Sequence, residues 1–127
     1  MTAVSDYLEQ IRQAVNAFAG AQVERYQEQL LTTTRANLRI RLRLPDNSFL
    51  EISEALAAEE EELSWLSYRY HWQDPTGRLI LRYDNAPHHQ EIETYPHHKH
   101  VAETVVTSER PSAPDLLKEI QRILTKG

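Results

Sequence analysis

Residues 37–44 read NLRIRLRL, and this octet decides the fold. Leu38, Ile40, Leu42 and Leu44 recur at every second position, with Arg39, Arg41 and Arg43 between them. A helix would scatter both sets around its circumference, whereas an extended strand sends successive side chains to opposite faces. The octet is therefore a strand with one apolar face and one arginine face, the arginines about 7 Å apart along it. The next residues, PDNS (45–48), carry turn chemistry, and FLEIS (49–53) reads as the returning strand of a hairpin.

The same period continues outward. WLSYRYHW (65–72) and RLILRYD (78–84) flank the turn QDPTG (73–77). Alternation predicts Leu66, Tyr68, Tyr70 and Trp72 with Leu79, Leu81 and Tyr83 on one face. It places Trp65, Ser67, Arg69 and His71 with Arg78, Ile80, Arg82 and Asp84 on the other, where Trp65 and Ile80 suggest a base-stacking platform or a protein contact. VERYQEQLLTTT (23–34) lacks a helical stripe and carries a threonine run, which favours a strand. The acidic run Glu59–Glu62 reads as a solvated connection between the hairpins.

The ends switch to a period of 3.6. SDYLEQIRQAVNAFAG (5–20) aligns Leu8, Ile11, Val15 and Phe18, predicting a helix over 6–19 with a cap-like Asp6/Glu9 pair and a stop at Gly20. SAPDLLKEIQRILTKG (112–127) aligns Leu116, Leu117, Ile120, Ile123 and Leu124 behind the capping pair Ser112 and Asp115. The expected fold is α+β: one domain over 1–127, an antiparallel meander of about five strands, an irregular histidine loop, and N- and C-terminal helices packed on one face as a two-layer structure. One sheet face is then covered and the other displays arginines.

Composition narrows the function classes. The chain has no cysteine, which removes disulfides and thiolate metal sites. It has no apolar run of membrane-spanning length, and MTAVSDYLEQ lacks a leader's layout, so a cytoplasmic protein without membrane contact is expected. The formal charge of −5 argues against a whole-surface nucleic-acid binder, so any basic site is local. Arginines outnumber lysines 11 to 3, a bias that suits forked recognition of phosphate or carboxylate. With only three glycines there is no phosphate-cradling glycine loop.

Five of the six histidines fall within DNAPHHQEIETYPHHKH (84–100). Imidazole titrates near neutral pH, so two histidines can supply one base and one acid. Cleavage of RNA by its own 2′-hydroxyl needs a base for that proton, an acid for the leaving 5′-oxygen and cations for the phosphorane, and no metal. His88, His89, His97, His98 and His100 are the candidate proton-transfer groups, with Asp84 to orient an imidazole through its second nitrogen. Arg39, Arg41, Arg43, Arg69, Arg82 and Lys99 are the candidate phosphate ligands. The competing readings stay open: solvated arginines paired across the sheet, a loop whose histidines bond its own backbone, or a zinc shell of His98 and His100 with His88 or His89. His71, beside Arg69, is a further candidate for the same face.

YRYHWQDPTGRLILRYDNAPHHQEIETYPHHKH (68–100) resembles the TumE family, toxin halves of prokaryotic toxin–antitoxin pairs. YDNAPHH (83–89) and PHHKH (96–100) are its most specific parts, preceded in order by RLRLPDNSFLEISE (41–54) and SYRYHWQD (67–74), and the similarity extends over 5–125. The matching motif residues are Asp84, Asn85, His88, His89, His97, His98, Lys99 and His100. The resemblance implies an intracellular toxin with a cognate antitoxin and a growth-inhibiting action on RNA or translation. The expected function is thus a metal-independent, ribonuclease-like toxin without a cofactor, acting on RNA or the ribosome, with homodimerisation through a sheet edge as an option. The alternatives are a non-enzymatic module binding RNA, ribosome or antitoxin, and a zinc-dependent hydrolase.

Overall fold

The computed structural model describes residues 2–86, 96–101 and 104–126. Helix α1 (Ala3–Asn16) leads into strands β1 (Gln22–Thr32), β2 (Arg35–Arg43), β3 (Phe49–Glu59), β4 (Glu62–Gln73) and β5 (Leu79–Asp84). Strands β6 (His98–Val101) and β7 (Thr104–Thr107) follow, and helix α2 (Ala113–Thr125) ends the chain. The strands form one sheet in sequence order, each antiparallel to its neighbours. The architecture matches the expected meander with terminal helices, including β1, but the sheet has seven strands where about five were expected.

The octet behaves as its period requires. Leu38, Ile40, Leu42 and Leu44 are buried, and with Leu50, Ile52, Leu56, Tyr70 and Trp72 they meet Leu8 and Ile11 of α1 and Leu116 and Ile120 of α2 in one cluster. Each aliphatic side chain buried this way contributes roughly 1.5–3 kcal/mol. The opposite face of the sheet is uncovered by either helix.

Two details differ from the sequence reading. Helix α1 starts about a turn earlier than expected, because Thr2 and Ser5 form the capping box, and Asp6 lies in the first turn. The chain leaves the helix through Gly20 at φ 78°, where a Cβ would sit 2.9 Å from Pro45 Cγ. Helix α2 keeps its expected cap, with Ser112 accepting from the Asp115 amide.

The second difference is a register shift at Ala55/Leu56, which inverts the faces at the start of β4. Leu66 is 51% exposed, while Trp65 turns to the core, meeting the Tyr7 ring edge-on at 5.3 Å. A second shift between Trp72 and Gln73 lets Ile80 pack against the core. Neither Trp65 nor Ile80 is a platform on the open face. The acidic run is the exposed connection expected of it, closed by Glu60 and Glu61, both at positive φ, into a tight turn between β3 and β4. Glu61 also accepts from the Ala3 amide at 2.6 Å, tying that turn to the start of α1.

Candidate functional site

Cross-strand register builds the site. Gln27, Arg39, Ser53, Arg69, Asp84 and His98 are successive partners from β1 to β6, and directly opposed residues share a face. From Arg39 to His98 this row crosses four inter-strand steps, about 19 Å. A parallel row runs Arg25, Arg41, Glu51, His71, Arg82 and His100. Outward-facing Ser53, Ala55 and Ser67 are short, so the open face sinks between longer neighbours. The result is a concavity of about 1230 Å³ whose lining includes Arg39, Arg69, Arg82, Asp84, His98 and His100.

Asp84 is the hub at its histidine end. It is buried at the end of β5, with Oδ1 2.5 Å from His98 Nε2 and Oδ2 3.2 Å from Arg82 Nε and 3.5 Å from His100 Nε2. His98 is 1% exposed, and its Nδ1 lies 2.8 Å from the Pro96 carbonyl. A carbonyl only accepts, so Nδ1 carries hydrogen, and a single proton lies between Nε2 and the carboxylate. Both ring nitrogens of His98 are thereby engaged, one by the Pro96 carbonyl and the other by Asp84. His100 is half-buried at the concavity, with its ring edge-on to His98 at 4.7 Å between centroids. Asn85 acts beside them as a clasp: its Oδ1 accepts from the Tyr68 amide at 3.0 Å, fixing the chain where it leaves β5.

The candidate phosphate ligands divide. Among the described residues, neither Arg39 nor Arg69 is ion-paired with an acid, and both line the concavity. Arg41 instead bridges Glu24 and Glu51, at 3.0 and 2.7 Å, and Arg43 joins Glu24 at 2.9 Å. Both guanidiniums also stack on Phe49, at 4.1 and 3.8 Å from the ring centre. These two arginines carry the internally paired arrangement and lie outside the concavity. Hydrogen bonds from Arg43 and Arg41 hold the Glu24 carboxyl below its ordinary range.

Alternation also divides the PHHKH motif. His98 and His100 face the concavity, whereas Lys99, paired with Tyr83 and 4.9 Å from its ring centre, is turned to the core side. His97 also lies away from the concavity, with Nδ1 2.9 Å from the Tyr68 hydroxyl and its ring stacked on Tyr68. Lys99 and His97 are thus separated from the groups they were expected to join, because neighbouring strand residues cannot share a face. His88 and His89 lie outside the described residues.

His71 sits one row away, on the open face. Arg69 Nη2 approaches its Nδ1 at 3.4 Å, and its Nε2 is 2.9 Å from Gln73 Oε1, a pattern that suits the neutral ring. Burial lowers its pKa, with Arg69 and Arg82 adding to the effect.

Asp84, His98 and His100 also place one ligand atom each within 4.8 Å of one another. The competing zinc reading, which drew on His98, His100 and a histidine at 88 or 89, therefore has a third candidate ligand in Asp84.

A second polar cluster lies under the sheet and escaped the sequence reading. Glu54 is buried, accepting from Tyr7 Oη at 2.5 Å, from the Tyr70 hydroxyl and from Trp65 Nε1 at 3.0 Å. Arg110 stacks over Trp65 at 3.5 Å and donates to Tyr70 Oη at 3.1 Å. Desolvation raises the Glu54 pKa despite these donors. The signal was in the sequence: Leu50, Ile52, Glu54 and Leu56 occupy one period-two face, which puts a carboxyl into the core.

Fold and site together define a small α+β protein whose open sheet face carries an arginine- and histidine-lined concavity. The chain belongs to the toxin TumE family, whose model matches residues 9–126. Among curated proteins and solved structures, none matches the chain at a significant level. No helix among the described residues is long and apolar enough to cross a membrane.

Proposed function

We propose that this toxin acts on RNA, holding phosphate with Arg39, Arg69 and Arg82 and moving a proton through His100. The observation that carries the reading is the shared concavity: Arg39 and Arg69, which have no acidic partner among the described residues, and Arg82, which reaches Asp84, line the same depression as the Asp84, His98 and His100 group. Forked arginine donors suit phosphate oxygens and the charge that builds on a phosphorane. His100 removes the 2′-hydroxyl proton or protonates the leaving 5′-oxygen, and Asp84 and His98 orient it. The second proton-transfer group is assigned to His88 or His89 on the sequence motif alone. The cognate antitoxin is the expected protein partner, since the family is one of toxins.

A non-enzymatic reading draws on a different observation, the engagement of both His98 ring nitrogens, which leaves fewer imidazoles to exchange protons. It predicts strongly salt-dependent binding of RNA or ribosome without turnover.

Induced expression with inspection of total RNA separates the two. Wild type should arrest growth and fragment RNA, His100→Ala should abolish both, and His97→Ala, on the other side of β6, should retain both. Intact RNA together with unchanged arrest in His100→Ala would sink the ribonuclease reading.

A further inference from the structure

We propose that Asp84, His98 and His100 form a seat for a divalent ion of the zinc class, and that its occupation shuts down the proton transfer assigned above to His100. The inhibitory half rests on that assignment; the binding half does not.

The donor set is two imidazole nitrogens and one carboxylate oxygen, a combination that suits Zn²⁺ and neighbouring first-row ions. All three donors belong to paired strands rather than to a loose surface, because Asp84 and His98 are directly opposed and His100 follows two residues along β6. A tetrahedral ion with bonds near 2.1 Å holds its ligand atoms about 3.4 Å apart. Here His98 Nε2 and Asp84 Oδ1 are 2.5 Å apart, His100 Nε2 and Asp84 Oδ2 are 3.5 Å apart, and the three ligand atoms lie within 4.8 Å. Side-chain adjustments of about an ångström therefore admit the ion.

The outer contacts fit as well. His98 Nδ1 donates to the Pro96 carbonyl, the second-nitrogen anchor that fixes a ligating imidazole's tautomer and aims Nε2 at the metal. The group opens on the concavity, where water can complete the shell. On binding, the proton between His98 Nε2 and Asp84 passes to solvent and both nitrogens coordinate the ion. His100 then has no lone pair with which to accept a proton.

One neighbour opposes the ion. Arg82 Nε lies 3.2 Å from Asp84 Oδ2, so its charge competes for the same oxygen. That competition supplies a signature of the site, since removing the guanidinium should tighten binding.

The test uses full-length protein carrying no histidine tag. Titration with Co²⁺, followed by d–d absorption, and with Zn²⁺, followed by calorimetry, should give one site per chain. His100→Gln and Asp84→Asn should each weaken binding at least 10-fold, and Arg82→Gln should strengthen it several-fold. Far-UV circular dichroism identifies variants that remain folded; His100→Gln, the least buried of the three ligand changes, keeps the test decisive if Asp84→Asn unfolds. Absence of a stoichiometric site, or binding unaltered in His100→Gln, overturns the seat. RNA cleavage should fall as Zn²⁺ fills the site, and cleavage that rises with Zn²⁺ overturns the inhibitory role. A protein that binds Zn²⁺ but never cleaves RNA removes both the ribonuclease reading and the inhibitory role, while the seat stands.

Discussion

The two ends of the arginine stripe on β2 share a strand, a face and a residue type, yet they are placed for different work. At one end Arg41 and Arg43 are held by Glu24 and Glu51 and laid on Phe49, so their charge is answered within the sheet. At the other end, the neighbours of Arg39 across the sheet are Gln27 and Ser53, which bring no charge. Arg69, the next cation along that row, faces Ser53 on one side and Asp84 on the other, whose carboxylate is engaged by Arg82 and His98 instead. The difference teaches that an alternating arginine pattern is not by itself a polyanion site. What matters is whether the adjoining strands supply carboxylates or short neutral side chains at the same level.

Charge removal should break this contrast most visibly. Arg39→Ala combined with Arg69→Ala should weaken single-stranded RNA binding by at least about 100-fold, since each charged contact is worth roughly 1.5–3 kcal/mol. The same pair should lower the salt-dependence slope by about 1.4 if each arginine meets one phosphate. Arg41→Ala combined with Arg43→Ala should change affinity by less than about 3-fold, as those charges are already answered. Fluorescence anisotropy against salt reads both, and equal losses from the two pairs would erase the proposed division.

Freeing the paired end should have a smaller, opposite effect. Glu24→Gln releases Arg41 and Arg43 from their shared partner and should tighten RNA binding by about 2- to 5-fold at low salt, fading as salt is raised. Anisotropy that is unmoved by this change would mean that the phosphate track does not reach the Glu24 end.

The buried carboxyl group beneath the same sheet separates stability from binding. The folded-state pKa of Glu54 is raised above its ordinary value of 4.5, chiefly by desolvation, so the folded protein holds this proton more tightly than the unfolded chain. Its stabilising contribution is present below that ordinary value and is lost as pH rises through the folded value. Glu54→Gln should remove this slope, so the urea stability of wild type relative to the variant should decline as pH climbs from 4.5. RNA binding should be the least affected quantity, because Glu54's side chain is on the helix side. A parallel pH dependence in both proteins would show that Glu54 is not the group responsible.

Much of the frame was legible because each element reports its own period. NLRIRLRL determined a strand, a core face and an arginine face with no help from neighbours, and the threonine-rich segment 23–34 added β1. The terminal stripes determined two amphipathic helices. The same period two also placed Ser53, Ala55 and Ser67 outward, which was the unread trace of the concavity, and Glu54 inward, the trace of the core carboxyl group.

Three features were decided only by tertiary structure. The strand β6 carries histidines and follows Pro96, a weak strand signal, and its hydrogen-bonding partners are β5 and β7; pairing with both supplies the backbone bonds that its composition does not predict. That pairing then sorted one dense motif into two sets, His98 and His100 toward the arginines, His97 and Lys99 away from them. The bulge opposite Ala55 and Leu56 inverted Trp65 and Leu66, since one extra residue puts the start of β4 out of phase with the rest of the strand. Local chemistry along the chain fixed which residues alternate; which guanidinium keeps a free charge, and which imidazole meets a carboxylate, depended on strands distant in sequence arriving at the same level of the sheet.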